Sequence, residues 1–356
     1  MYMKNEALES TITSKDFSQL FRDFDKLNFS LNEDILEDRM NISSLPNFVP
    51  GEFNVLNLGT LEGGLGFREN QVKFEVTNQW TTKLMFIHYI LRCPDDTLWI
   101  ADNLNEVLQH VKIAKDKVKI LSSFSLKIFG IADLSGNIVV SCGESRLKLI
   151  DGKTKEITDS VFVIEESFIS RGIHITNDQK VVIAARIPGD PFSATGRSFV
   201  VVMDQTGNCL ATYEKDRNSK PLFTLALIVT TTSNGNICIV DRLNHDSTGR
   251  VFVIGHKGNI KGIYSGHHDI NTEDKPFKPQ CVVATQSYYI LVTDWKNNAI
   301  HILNYDGDFI SYYSLKDLGI KNPLSLALST PGHFYLGCTG GGLLNNFGKL
   351  YSIRFS

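Results

Sequence analysis

The stretch FKPQCVVATQSYYILVTDWKNNAIHILNYDGDFISYY, residues 277–313, predicts one complete four-stranded antiparallel sheet. Four apolar segments alternate with polar breaks, and the last break contains Asp306-Gly307, a pair that tolerates the positive φ of tight hairpin turns. The second segment, residues 288–292, is apolar at consecutive positions. A strand with one face in water would alternate instead, so both faces of this sheet are predicted to be covered.

Sheets that stack face to face around an axis form a β-propeller, and the remaining chain repeats the same unit. Six copies of a turn followed by a buried strand begin their strands at residues 98, 138, 181, 237, 290 and 334. The longer steps contain loop insertions at 187–198, 243–250 and 267–278. The last copy supplies three strands, so residues 72–76 are predicted to complete it as the outer strand. The fold class is therefore all-β, a six-bladed propeller over residues 71–356.

The N-terminal region differs in charge from this body. Residues 1–70 carry six basic and twelve acidic side chains, against thirty basic and twenty-seven acidic in residues 71–356. An apolar series at helical spacing predicts a short amphipathic α-helical arm within residues 1–40, formed by Phe17, Leu20, Phe24, Leu27 and Leu31. The arm is interpreted either as a coiled-coil remnant that promotes a homodimer or as a helix that docks on the body. Residues 41–70 contain Pro46, Pro50 and a glycine cluster, and are predicted to be a linker.

The location of the protein is suggested by its cysteines and termini. Its six cysteines are scattered without a C-x-x-C pair, which favours reduced core thiols in a cytoplasmic protein over disulfides or a zinc site. We expect no signal peptide and no membrane span, because no apolar run reaches the roughly 20 residues that a bilayer requires.

The segment VTDWKNNAIHILNYDGDFISYY, residues 292–313, resembles the NHL repeat: a buried strand, Asp, an Asn-rich break, an Ile-containing strand and Asp-Gly. With RGIHIT and GRVFVIGHKGNIKGIYSGHHDINTEDKPFKP, the chain resembles the C-terminal region of molluscan tripartite-motif proteins, whose propeller is NHL- or TolB-like. The resemblance implies a substrate-recruiting role in a ubiquitin-ligase-like assembly. It departs from the family in having no RING finger or B-box, so ubiquitin-ligase activity cannot reside in these residues and no enzyme is expected.

The predicted function is non-catalytic recognition of a protein partner through one propeller face. RNA binding is the first alternative, because related NHL propellers bind RNA through a basic face. A metal-dependent, lactonase-like hydrolase is the second, because such propellers hold a cation at the axial pore. No cofactor is expected. The candidate ligand-face residues are cations and an aromatic on one rim, namely Lys83, Arg171, Arg186, Arg242, Arg250, Lys275, Lys278, Trp295 and Lys296.

Polar residues that could serve catalysis have plainer interpretations. His174 could point into the axial channel as a metal ligand or base, but no second histidine recurs at its position. His267 and His268 lie in a loop insertion and favour a surface role. Asp102, Asp241 and Asp294 each end a buried strand, where we expect them to accept backbone N–H groups of their own turns rather than to gather around a cation.

Overall fold

The computed structural model describes residues 73–340 and 347–355, together with the backbone of two short strands, 47–49 and 60–62. Those two strands, β1 (Asn47–Val49) and β2 (Thr60–Glu62), pair antiparallel within the range predicted as a linker. The predicted helical arm lies outside the described residues. Residues 1–71 and 72–356 form separate compact units. None of the described residues forms a helix able to cross a membrane.

The second unit contains six four-stranded antiparallel sheets, which confirms the predicted all-β six-bladed propeller. The strands of the first three blades follow in chain order: β4 (Tyr89–Arg92), β5 (Thr97–Asp102), β6 (Val107–Ile113), β7 (Val118–Ser125), β8 (Gly130–Leu134), β9 (Asn137–Ser141), β10 (Arg146–Ile150), β11 (Ile157–Val163), β12 (Ile169–Ile175), β13 (Val181–Arg186), β14 (Ser198–Met203) and β15 (Cys209–Tyr213).

The fourth and fifth blades continue the same order, and the sixth takes its outer strand from the start of the unit. Their strands are β16 (Ala226–Thr231), β17 (Ile237–Arg242), β18 (Gly249–Ile254), β19 (Ile260–Tyr264), β20 (Pro279–Ala284), β21 (Tyr289–Asp294), β22 (Ala299–Asn304), β23 (Phe309–Ser314), β24 (Pro323–Leu328), β25 (His333–Cys338), β26 (Lys349–Phe355) and β3 (Phe74–Thr81). A single 3-10 turn, Leu315–Leu318, joins the last two blades.

The ring is closed by β3, which pairs with β26 so that Phe74 faces Phe355. The sequence analysis assigned residues 72–76 to this position; the strand begins at Phe74 and extends to Thr81. An ion pair between Glu75 and Arg354 links the same two strands. With β3 in place, the sixth blade has four strands, as each of the other five blades has.

The core consists of six apolar clusters, one between each pair of neighbouring blades. Every residue of β5 is buried, and so are the first five of β13 and of β17. Second strands are therefore covered on both faces, as their uninterrupted apolar sequence predicts. The cysteines are all free, but Cys209 is exposed, so the expectation of core thiols is wrong at that position, which lies on an outer strand.

Two sets of connections form the two faces of the ring. We call upper the face made by the loops between second and third strands and by the links from one blade to the next. The lower face is made by the first-to-second and third-to-fourth loops. Inner strands thus start at the upper face, and four of them contain a bulge near that start. A bulge redirects a side chain out of the regular pleat, so the upper end of the channel is irregular.

Candidate functional site

All nine predicted ligand-face residues lie at the upper face, by strand connectivity. Lys83, Lys275 and Lys278 belong to links between blades. Arg171 lies near the start of an inner strand, and the others end a second strand, begin a third strand or occupy the loop between them. They do not share one environment. Lys83, Lys275 and Lys296 are exposed, whereas Arg171, Arg186, Arg242, Arg250, Lys278 and Trp295 are half-buried. A half-buried charge is partly desolvated, which is unfavourable unless other groups of the fold compensate for it.

Of the carboxylates that end second strands, Asp102 binds the backbone of its own turn, as predicted, and also that of the preceding blade-to-blade link. Asp241 and Asp294 differ from the prediction, because the backbone N–H groups they accept belong to that link. Asp102 accepts the N–H groups of Leu104 and Asn105 in its own turn and those of Met85 and Phe86 in that link. Asp241 accepts the N–H groups of Thr224 and Leu225 in the equivalent link. Each carboxylate is therefore used within its own blade and does not converge with the others on a cation.

Asp294 has a more elaborate environment. Its side chain accepts the amide groups of Asn271 and Asn297, both at 2.8 Å, and His301 Nε2 lies 3.5 Å away. Burial by itself raises the pKa of Asp294, but the nearby His301 and the hydrogen bonds from Asn297 and Asn271 outweigh it, and the net pKa is lowered. His301 is fully buried and its Nδ1 contacts the Tyr264 hydroxyl at 2.7 Å. This group packs the fourth blade against the fifth and has no access to solvent.

Two of the predicted arginines are committed to the fold. Arg250 donates from Nε to Asp241 at 2.9 Å, and its guanidinium lies over the Phe252 ring, 4.5 Å from the centroid. Arg186 donates from one nitrogen to the carbonyl oxygens of Ile187 and Gly189, both at 2.8 Å. These contacts hold an interior ion pair and a long loop in place, so neither residue is free to bind a ligand without losing them.

Arg171 and Arg242 differ from these two. Arg171 lies in the bulge of β12, and its guanidinium stacks on Phe129, 3.9 Å from the ring centroid. The Nε atoms of Arg171 and of Arg242 are buried and have no hydrogen-bond acceptor. Among the described residues, neither side chain forms an ion pair. Two desolvated guanidinium groups thus lie at the upper face without an anion.

The pKa values show what surrounds this pair. Burial lowers the pKa of Arg171 to about 10, the charges of Arg186 and Arg242 add to the effect, and Tyr89 opposes it. Burial likewise lowers the pKa of Arg242. Burial raises the pKa of Tyr89 to about 12, so this residue is a neutral phenol at physiological pH. Both arginines stay charged at that pH, and Tyr89, which influences both, is a hydrogen-bond donor rather than a counterion.

The axial channel encloses a cavity of about 440 Å³, lined by the inner strands of all six blades. Tyr89 and Gly172 line it. Arg171 precedes Gly172, and Arg242 donates its backbone N–H to the carbonyl of Leu225, two residues before the Leu227 carbonyl that Gly172 approaches, so both arginines lie near the upper end of the cavity. Asp133 is the one carboxylate in the described lining. His174 contacts Thr231 Oγ1 at 2.9 Å, and burial lowers its pKa to about 4, so it is neutral. The described lining does not bring together the several oxygen ligands that a hard cation requires.

One cluster of metal-ligand side chains does occur in the described ranges, in the link before the fifth blade. His267, His268 and Asp269 bring their donor atoms within 4.8 Å of one another. They are consecutive, and His267 stacks on Phe309 with a centroid distance of 3.9 Å. The cluster lies on the surface, where the sequence predicted it, and away from the channel.

Apolar residues that the sequence analysis did not select also reach the upper face. Leu104 is 68% exposed, and Met85 and Phe347 are each 44% exposed. Leu104 and Met85 both donate their N–H to Asp102, while Gly348, next to Phe347, donates its N–H to Leu84. The three side chains therefore belong to one region, where the sixth blade meets the first. We call it the apolar patch.

Of the remaining predicted residues, Lys83 is exposed in the link before the first blade, and the others lie at the fifth blade, beside the arginines. Trp295 is half-buried, its Nε1 is buried without an acceptor, and Lys296 lies over its ring at 5.4 Å. Lys278 donates its backbone N–H to Asp294, and the carbonyl of Lys275 receives the amide of Asn297, both at 3.4 Å. The upper face thus has cations and an aromatic on the third to fifth blades and the apolar patch on the opposite side.

The chain matches no protein-family model and no curated protein. Its structure is similar to regucalcin, a calcium-binding protein of Agrobacterium tumefaciens, with a TM-score of 0.55 at 13% identity over 77% of this chain and 92% of that one. It is also similar to virginiamycin B lyase from Staphylococcus aureus, with a TM-score of 0.53 at 12% identity over 79% of this chain and 99% of that one. A third similar structure is the PQQ-bound aldose sugar dehydrogenase of Streptomyces coelicolor, with a TM-score of 0.56 at 10% identity over 80% of this chain and 98% of that one. At these identities the likeness shows the fold alone.

Proposed function

We propose that the protein is a non-catalytic recognition module that binds a protein partner through the upper face of the propeller. The observation that carries this proposal is the composition of that face. It combines the apolar patch, Met85, Leu104 and Phe347, with the cations Arg171 and Arg242 and the aromatic Trp295. Protein interfaces typically combine apolar anchors with arginine and tryptophan, whereas exposed leucine contributes nothing to a face that binds only by charge.

The likeness of residues 292–313 to the NHL repeat supports a more specific role. In this role the propeller recruits substrates within a tripartite-motif-like ubiquitin-ligase assembly, with the catalytic RING supplied elsewhere. The neighbours include enzymes, and their names do not carry a reaction over to this chain. The lining of the axial channel favours recognition over a metal-dependent hydrolase, because Asp133 is its one described carboxylate.

The proposal is tested by capturing proteins on the full-length chain and comparing four baits. Leu104→Ser removes the most exposed residue of the apolar patch, and Arg242→Gln removes a cation. Tyr288→Ser, at a lower-face loop residue that is 65% exposed, is the matched control. We expect a common set of proteins to bind the wild type and the control and to be lost from both upper-face variants. The strongest of these, purified, should bind directly in calorimetry; capture unaffected by the upper-face variants would overturn the proposal.

RNA is the second candidate ligand, because Arg171, Arg242 and Trp295 could contact phosphates and stack a base. Binding of a random-sequence single-stranded RNA should then weaken steeply with added salt, and each arginine removed should reduce the slope of log K against log salt by about 0.7. Strong RNA binding with that slope, without any captured protein, would favour RNA over the protein partner.

A further inference from the structure

Among the arginines of the described chain, Arg171 and Arg242 have a buried Nε without an acceptor, whereas Arg217, which also has no acceptor, is exposed to solvent. Four arginines form ion pairs with carboxylates, namely Arg92, Arg197, Arg250 and Arg354. Two more, Arg146 and Arg186, donate to backbone carbonyl oxygens. A buried guanidinium nitrogen without an acceptor is unfavourable, so an acceptor supplied by a ligand would stabilise both positions.

The backbone around Arg171 is fixed by close contacts between inner strands. A Cβ at Gly130 would lie 2.6 Å from the Arg171 carbonyl oxygen, and a Cβ at Gly172 would lie 2.4 Å from that of Leu227. Only glycine permits these approaches, which lock β12 between its neighbours. The bulge then directs the side chain of Arg171 onto Phe129. The guanidinium is therefore held in place before any ligand binds, which reduces the entropy lost on binding.

The chemistry of the pair selects an oxyanion. The guanidinium is a planar fork of N–H donors that matches the two oxygens of a carboxylate or phosphate, and it carries charge at any physiological pH. Tyr89 adds a neutral hydroxyl beside the pair, able to donate to the same group. No carboxylate among the described residues pairs with either arginine, so an incoming anion meets no repulsion from a resident counterion.

We propose that Arg171 and Arg242 form an oxyanion site at the upper end of the axial channel, which takes the carboxylate or phosphate group of a protein partner. The inference rests on the proposed function and deepens it. It assigns to the partner an acidic side chain, a chain terminus or a phosphorylated residue that enters the channel mouth. The apolar patch across the mouth would contact the surrounding residues of the same partner.

The site is tested with small ions on the full-length protein. Its melting temperature is measured in inorganic phosphate, in acetate and in chloride at equal ionic strength. Saturation by an ion in about tenfold excess over its dissociation constant should raise the melting temperature by about 3 °C relative to chloride. Arg171→Gln and Arg242→Gln should each lose this rise. Lys257→Gln, which removes the same charge from an exposed loop of the lower face, is the matched control and should keep it.

The outcomes separate the sources of the anion and the two proposals. A rise in phosphate alone assigns a phosphorylated partner, and a rise in acetate assigns a carboxylate. An equal melting temperature in all three salts, or a rise that both glutamine variants keep, overturns the oxyanion site. If that occurs while Leu104→Ser still abolishes capture, the proposed function stands. If the arginines bind phosphate but no captured protein depends on the upper face, the proposed function fails and the anion site remains.

Discussion

Arg242 and Arg250 lie in one hairpin of the fourth blade, and the two side chains have opposite environments. Arg250 is paired across the strands with Asp241, a carboxylate that is 0% exposed. Arg242 follows Asp241 directly in the chain, yet its Nε has no acceptor. Consecutive residues of a strand point to opposite faces, so Asp241 serves the neighbouring strand while Arg242 is directed away from it. The difference shows that a buried charge in this blade is either paired within the fold, as at Arg250, or left without an acceptor, as at Arg242.

His174 provides a third case, on the same strand as Arg171. It too is desolvated and has no acidic partner, but a histidine can lose its proton whereas an arginine cannot. Burial lowers the pKa of His174 to about 4, so its imidazole is neutral and no charge is buried in the channel. Paired, neutral and unpaired basic groups therefore have distinct expected responses to substitution and to pH.

The largest effect is expected for Arg250→Met, which keeps the contact with Phe252 and removes the charge. Asp241 would remain buried without its cation, and breaking a buried pair in this way costs about 3–5 kcal/mol of unfolding free energy. Burial already raises the pKa of Asp241, with the Leu225 N–H and Arg250 opposing it, so the variant should raise it further. Urea unfolding at neutral pH measures the loss, with Arg242→Met as the control.

The pH dependence of that loss has a definite sign. A carboxylate whose folded pKa is raised destabilises the folded state above its unfolded pKa of about 4 and ceases to do so below it. The penalty of Arg250→Met should therefore shrink as the pH falls towards 4. A penalty that is constant with pH would mean that lost packing, rather than the stranded carboxylate, is responsible.

The second effect concerns His174. Its folded pKa of about 4 lies below the ordinary value of 6.5. The unfolded chain therefore binds an extra proton between these values, and stability is complete above 6.5 and is lost as the pH falls to 4. The loss should reach about 3 kcal/mol, since one pKa unit corresponds to about 1.4 kcal/mol.

His174→Gln is the comparison that isolates this term, because glutamine does not titrate and can still contact Thr231. Unfolding free energies of the two proteins should diverge with pH between 6.5 and 4, with the variant losing less. If the two unfolding free energies changed in parallel with pH, water in the channel would be solvating the imidazolium. His174 could then keep its proton in the folded state and would no longer differ in this way from the two arginines.

The smallest effect on stability is expected at the proposed oxyanion site. Arg171→Met and Arg242→Met each remove a desolvated charge from a like-charged neighbour, so the unfolding free energy should change by less than about 1 kcal/mol, in the direction of greater stability. The same urea series measures it. A loss as large as that of Arg250→Met would show that these arginines have a structural counterion and would break the comparison.

The repeat was predictable from sequence because each second strand is apolar without interruption. The predicted strand starts fall within one residue of β5, β9, β13, β17, β21 and β25, since a strand covered on both faces leaves a contiguous signal. The insertion at 187–198 corresponds to the loop between β13 and β14. Residues 47–49 and 60–62 show the opposite case: they were assigned to a linker and pair as a hairpin, as proline and glycine obscured the short strands.

The division of the arginines was not predictable in the same way. Asp241 and Arg250 are opposed across a hairpin whose loop insertion hides the register, so their pairing appears only in three dimensions. Arg171 was expected in a loop and lies in a strand, where a bulge that no sequence signal marks sets its direction. Tyr89 and Phe129 were missed because an isolated aromatic residue in an apolar segment looks like any core residue.

The strand that closes the ring has a mechanical consequence. Phe74 and Phe355 face each other at one end of the antiparallel pair formed by β3 and β26, next to the ion pair of Glu75 and Arg354. Tension applied between these two points would load the hydrogen bonds of the pair one after another, as in unzipping, rather than all together as in shear. The pairing of β3 with β26, which closes the ring, is thus expected to separate first under a pulling force. The other five blades would bear that force only after the two strands have separated.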